Sequence, residues 1–412
     1  MVNFKRTILP NGLKLIVHTD TTSPLVNMNI LYNVGARDED PSQTGFAHLF
    51  EHLMFGGSIH IPEYDSPLQL AGGDNNAFTN NDITNYYLTL PAANIETGFW
   101  LESDRMLSLA FSEKSLEVQR NVVVEEFKQR YLNQPYGDAW LLLRPLAYKV
   151  HPYQWATIGK EISHIEQATL NDVKNFFFNY YNPDNAVLVL SGNISFDEAH
   201  RLAMKWFAPI ERTSIVRKPY AVEPIQTEAR SLTVERDVPI SAIYKAFHCC
   251  KRTDQTFYAV DLATDILSRG KSSRLYNSLV KKQKLFTDIN LYCTGDFDNG
   301  LVVVDGKLSK GVKMEEAERG LNEELQIMSN LLVSDEELVK VKNKVESIIE
   351  FSEIDLGNRS LGLALGEVMG DANQVNLETE RYKAVTAEQI RQEALKIFDH
   401  KNSNTLYYLS KN

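Results

Sequence analysis

Three residues within five positions carry the strongest chemical signal in this 412-residue chain. They are His48, Glu51 and His52, the H-x-x-E-H of the segment GFAHLFEHLMFGG at 45–57. On a helix, positions i and i+4 stand one above the other on the same face, so both imidazoles can reach a single ion. Two imidazoles with a carboxylate suit zinc, which takes nitrogen, sulfur or carboxylate donors in a tetrahedron and keeps a position for water in catalytic sites. Glu51 lies near the same spot without having to ligate, and it is the natural base for such a water. The flanking Phe46, Leu49, Phe50, Leu53, Met54 and Phe55 are apolar nearly all round, which predicts a buried helix. Polar His and Glu on a buried helix need partners or a metal.

Two His from one helix need a third protein ligand from elsewhere. The run VQRNVVVEEFKQR, in a predicted helix over 114–133, offers Glu125 and Glu126. Glu126 has Val122 and Val123 one turn behind it, whereas Glu125 is flanked by Asn121, Lys128 and Gln129. Helical neighbours therefore favour Glu126 as the inward carboxylate. Between the two segments lies DNNAFTNNDITNYYLTLP, 74–91, whose second half alternates as a strand. Its first half, Asn75, Asn76, Ala77, Phe78 and Thr79, has the composition of an edge strand, able to pair an extended peptide. The plain alternative is a hairpin rich in turn residues.

The elements that must hold these residues follow from pattern. Alternation around Asn11-Gly12 predicts an N-terminal hairpin, with strands at 13–19 and 25–34. Helices are expected over 92–110, after Thr169 as N-cap, and over 196–207. Length points to two or three domains. The net charge of −11 argues against a nucleic-acid partner. No run approaches the ~18 apolar residues of a membrane helix, and no long apolar stretch follows the first charges as in a signal peptide. Cys249, Cys250 and Cys293 form neither a disulfide framework nor a C-x-x-C pattern, so a cytoplasmic location is expected.

An internal repeat sets the domain division. ATLNDVKNFFFNYYNPDNAVLVL recurs as VTAEQIRQEALKIFDHKNSNTLYYL at a constant offset of 217, aligning Thr169 with Thr386 and Asn185 with Asn402. The expectation is α+β: two related domains, each a mainly antiparallel sheet packed with helices. The zinc-bearing domain is placed at 1–212, a linker at 213–229 and a second domain at 230–412. In the second domain His248 and His400 have no ligand spacing, so it is expected to be structural or to wall the chamber. An amphipathic helix is read at 271–282, a long charged helix at 335–355, and a Gly-punctuated helical pair or loop at 355–370.

H-x-x-E-H with a distal V-V-V-E-E, together with NGLKLIV, NNAFTNNDITNYY, HPYQWATIGKEI, YYNPDNAVLVLSGN and SSRLYNSL, resembles the inverzincin metallopeptidases of the pitrilysin type. Within that family the chain looks like the short single-half form, similar to the catalytic subunit of the mitochondrial processing peptidase and to bacterial relatives. The resemblance implies His48, His52 and Glu126 as ligands of one Zn2+ per chain, with Glu51 as catalytic base. It implies 75–79 as the strand on which a peptide substrate pairs. It also implies a half-clamshell completed by dimerisation into a chamber, and zinc endopeptidase activity. The sequence departs from the family in two places. Gln119 stands where a second Glu is common. Val280 and Thr287 stand where the opposing half carries an Arg and a Tyr. The expected active form is therefore a heterodimer with a related chain that supplies that pair. A non-catalytic peptide-binding or assembly subunit is the rival expectation.

Overall fold

The computed structural model describes residues 1–213 and 219–411, so 214–218 of the expected linker lie outside the described residues. The chain opens with the hairpin: β1 (Lys5–Ile8) pairs antiparallel with β2 (Lys14–Thr19). Gly12 closes its turn at φ 93, where a side chain is strained and a Cβ would lie 2.7 Å from Asp184 Cβ. Next come β3 (Leu25–Tyr32), α1 (Phe46–Leu53), α2 (Asp65–Leu70), β4 (Asp74–Thr79), β5 (Thr84–Pro91), α3 (Ile95–Leu107) and α4 (Glu113–Phe127). A π-helical stretch, Lys128–Leu132, extends α4. Then follow α5 (Ala139–Ala147), α6 (Ile162–Glu166), α7 (Leu170–Tyr180), β6 (Ala186–Gly192) and α8 (Phe196–Trp206).

The second half runs β7 (Arg230–Arg236), β8 (Ala242–His248), α9 (Phe257–Ser268), β9 (Phe286–Cys293), β10 (Leu301–Leu308), α10 (Met314–Asn330) and α11 (Asp335–Ser352). It ends with α12 (Leu356–Val368), α13 (Gln374–Ala384), α14 (Ala387–Ile397) and β11 (Ser403–Ser410). Of the segment 271–282, residues Tyr276–Lys282 form a π-helical stretch. Residues 355–370 are mostly one helix, α12, capped by the Asp355 side chain, which accepts the Asn358 N–H.

The first sheet has the order β1-β2-β6-β3-β5-β4 and the second β7-β11-β8-β10-β9. In each, one pair is parallel, β2 with β6 and β7 with β11, and the other pairings are antiparallel. Setting β1 aside, the two topologies are the same. The repeat seen in sequence holds in detail. Thr169 and Thr386 each make a capping box. Asn185 donates to the Tyr180 and Asn33 carbonyls at 2.8 and 3.2 Å, while Asn402 donates to those of Ile397 and His248 at 2.9 Å each. In both copies one amide thus ties the end of a helix to the end of a strand.

The compact units do not follow the linear division. One comprises Met1–Phe127, Trp155–Tyr220 and Glu350–Leu377; the other comprises Lys128–Gln154, Ala221–Ile349 and Glu378–Asn412. In the first unit α12 lies on β3 and β6. Its Glu367, with a side chain 2% exposed, takes Arg6 at 2.7 Å and Lys14 at 3.1 Å. In the second unit α5 covers one sheet face, with Ala139, Leu143 and Ala147 against Tyr244, Leu406 and Tyr408. The other face packs on α9, α10 and α14 through Ile266, Leu321 and Ile390. Helices α5 and α12 begin at equivalent repeat positions, so each sequence half sends one helix to the other unit. Amphipathic pattern says that such a helix needs a sheet to cover, not which sheet. Among the described residues no helix is long and apolar enough to cross a membrane.

Candidate metal centre

Helix α1 forms because Phe46, Leu49, Phe50 and Leu53 fall at i, i+3, i+4 and i+7, and all four are buried. Phe50 anchors it among aromatics, with ring centroids 5.0 Å from Phe176 and 5.2 Å from Tyr181, and its carbonyl accepts the Tyr86 hydroxyl at 3.3 Å. Burial of that stripe leaves His48 and His52 half-buried on the adjoining side, their rings 4.9 Å apart and nearly perpendicular.

Helix α4 packs against α1. Glu126 brings Oε2 to 3.5 Å from Nε2 of both His48 and His52. The three donor atoms lie within 4.8 Å of one another, the only such group of three or more His, Cys, Asp or Glu among the described residues. Two imidazole nitrogens and one carboxylate oxygen are the donor set of a three-ligand zinc site, so the residues fit the ion. Glu125 is exposed and is not part of this group. The reason differs from the sequence reading in one respect: Val122 is 44% exposed, and it is Val123, Val124 and Phe127 that turn this part of α4 inward.

Glu51, half-buried, sits in the same turn as His52. Burial pushes the Tyr86 and Tyr181 hydroxyls up, and the Glu51 charge adds to the rise. The segment Asn75–Thr79 lies in β4, which is an edge of the first sheet, pairs only with β5 and packs beside α1. Gln119 lies on α4 two turns before Glu126 and is half-buried. Val280 lies in the π-helical stretch of the second unit, and Thr287 Oγ1 on β9 donates to the Lys307 carbonyl at 3.2 Å.

Several contributors escaped sequence reading. Glu39 is 6% exposed and its carboxylate accepts the N–H groups of Gly45 and Ala47 at 2.9 and 2.8 Å, at the start of α1. Burial pushes its carboxyl up to about 8, against the pull of those two amides. The Trp155 indole donates to the Ala36 carbonyl at 2.9 Å beside it. Arg105, 1% exposed, pairs in bidentate fashion with Glu102 at 2.8 and 2.6 Å and lies 4.5 Å from the rings of Tyr64 and Tyr86. The one available signal was a helix that starts at a glycine, without a capping side chain of its own.

Two family models match the chain: Insulinase (Peptidase family M16) over residues 14–138 and Peptidase M16 inactive domain over 167–345. The chain belongs to the M16 peptidase family. The first model contains the whole His48, His52 and Glu126 cluster. The chain is 33% identical to the zinc protease PqqE of Helicobacter pylori over 67% of this chain and 64% of that protein, so this match spans under two thirds of the relative. It is 23% identical to the uncharacterized zinc protease YmxG of Bacillus subtilis over 91% and 93% of the two chains. The crystal structure of a protease from H. pylori superposes with a TM-score of 0.94 at 25% identity, covering 99% of this M16 chain and all of that one.

The periplasmic protease PqqL of Escherichia coli shares the fold, with a TM-score of 0.80 at 17% identity, over 99% of this chain and 48% of that one. This corrects the cytoplasmic expectation, since the fold is found in a periplasmic protein. The cysteines never carried the point. Cys249 is buried with its sulfur 3.7 Å from that of Cys293, and a thiol sheltered by packing reports nothing about the compartment outside.

Proposed function

We propose that this M16 chain is a zinc-dependent endopeptidase. The observation that carries the reading is the convergence of His48, His52 and Glu126 donors within 4.8 Å, with Glu51 in the same turn of α1. A zinc ion held there supplies a Lewis acid for the scissile carbonyl and for water. Glu51 takes the proton from the attacking water and hands it to the leaving amine. Asn75, Asn76, Ala77, Phe78 and Thr79 present the free edge of β4 to the substrate backbone, which lies as an added strand and so holds its carbonyl in register beside α1.

A second, related chain completes the working enzyme and encloses the substrate. The match to about half of PqqL supports this, as do Val280 and Thr287 at positions where the family resemblance implies an Arg and a Tyr. Full activity from a pure homodimer would rule the heterodimer out. A non-catalytic peptide-binding subunit is the second reading, favoured only by Gln119.

Zinc analysis with a quenched-peptide assay, with and without chelator, decides between them. Glu51→Gln is expected to retain zinc and to lose hydrolysis. Turnover retained in that variant would overturn the role of Glu51, and a zinc-loaded wild-type complex that cleaves no peptide would leave the binding subunit standing.

A further inference from the structure

A helix begins with N–H groups that have no intrahelical partner, and an N-cap side chain ordinarily takes one of them at N2 or N3. Helix α1 has no such side chain, because its N-cap is Gly45. Nor can it acquire one. Gly45 sits at φ 90, and a Cβ there would lie 2.7 Å from the Ile158 carbonyl oxygen and 2.8 Å from Ile165 Cδ1. The cap is supplied from outside the helix. Glu39 spans the first turn with one oxygen on the Gly45 N–H and the other on the Ala47 N–H, at N-cap and N2. The next residue is His48.

Glu39 is itself held from behind. Asp38 accepts the Gly35 N–H at 2.9 Å and the Tyr220 hydroxyl at 2.5 Å, and the Trp155 indole fixes the Ala36 carbonyl. The Glu39 carboxyl group is buried, and both of its oxygens accept N–H groups of the turn that carries His48.

We infer that Glu39 is a positioning residue for the metal centre, holding the first turn of α1 so that His48 stays in register with His52 and Glu126. A fixed first turn means that the ion need not order it on binding. A loosened first turn charges that ordering against metal affinity. The inference rests on the proposed zinc site.

The test is Glu39→Gln, which keeps the shape but can accept only one of the two N–H groups. Co2+ affinity, read from its visible absorption, is expected to fall by about 10–100-fold, the usual cost of losing a group that orients a ligand. Amide exchange at 46–48 is expected to speed up. The control is Ser195→Ala, which removes the side-chain cap of α8 in the same unit. It should change neither readout. Wild-type Co2+ affinity in folded Glu39→Gln, unchanged exchange at 46–48, or an equal loss of affinity in Ser195→Ala overturns the inference. If Glu39→Gln does not fold, Glu39→Asp, whose shorter arm cannot span both amides, is read in the same way. Failure of the wild-type chain to bind Co2+ sinks the zinc reading instead, and the exchange data still decide whether Glu39 holds the turn.

Discussion

The turn that ends β4 is tied down by a buried ion pair, and cutting it tests how the edge strand is held. Arg37 Nη1 meets Asp82 Oδ1 at 2.8 Å, with the two side chains only 8% and 4% exposed. The backbones are joined there as well: Ala36 N–H donates to Asn80 O at 3.1 Å and Arg37 N–H to Asn81 O at 2.9 Å. Gly35 permits this approach, since a Cβ on it would lie 2.5 Å from both Asn81 O and Asp82 N. Asp82→Ala removes the carboxylate opposite a guanidinium in a dry site, a change that costs about 3–5 kcal/mol. The Tyr220 ring 5.0 Å from the guanidinium still covers it, which places the expected loss near the lower end, ~3 kcal/mol. For a unit of roughly 200 residues that lowers the melting midpoint by about 6–12 °C. Urea unfolding of Asp82→Ala, Arg37→Ala and the double variant measures it. The double variant should lose clearly less than the sum of the singles, because it no longer buries one charge without its counterpart. A loss below ~1 kcal/mol, or additive losses, would show that the backbone bonds alone hold the turn. On the proposed function, a loosened β4 should raise peptide KM more than it lowers kcat.

Other consequences are equally open to measurement. Arg274 and the Ser334 amide hold the Glu337 carboxyl down to about 2, so its folded value lies below its unfolded one and its stabilisation exists above about pH 4.5. Glu337→Gln should therefore cost on the order of 2 kcal/mol at neutral pH, with the gap to wild type closing as pH falls from 4.5 towards 2 in calorimetry. Asn185→Ala and Asn402→Ala each delete two hydrogen bonds to main-chain carbonyls at equivalent repeat positions, and each should cost roughly 1–3 kcal/mol. A large difference between the two losses in chemical denaturation would argue that the repeat is only superficial.

What the sequence determined by itself is whatever local spacing dictates. His48 and His52 had to share a helix face, because i and i+4 coincide at 3.6 residues per turn. The Asn11-Gly12 hairpin, the Thr169 and Thr386 caps and the equivalence of the two halves were legible for the same reason, since each is specified within a few residues. Glu126 was legible only as a preference, and part of that preference rested on Val122, which is exposed. Tertiary packing chose it, by turning Val123, Val124 and Phe127 towards the core and leaving Glu125 outside.

Three things were decided by the fold alone. A polar strand can lie anywhere in a sheet, and only the order β1-β2-β6-β3-β5-β4 makes Asp74–Thr79 an edge. An amphipathic helix covers whichever sheet the chain path brings it to, and α5 and α12 went to the units opposite to their halves of the sequence. The cap of the metal-site helix comes from Glu39, six residues before its glycine N-cap. No propensity encodes that contact, and Ile158 and Ile165, which take the space a side chain on Gly45 would need, come from far along the chain.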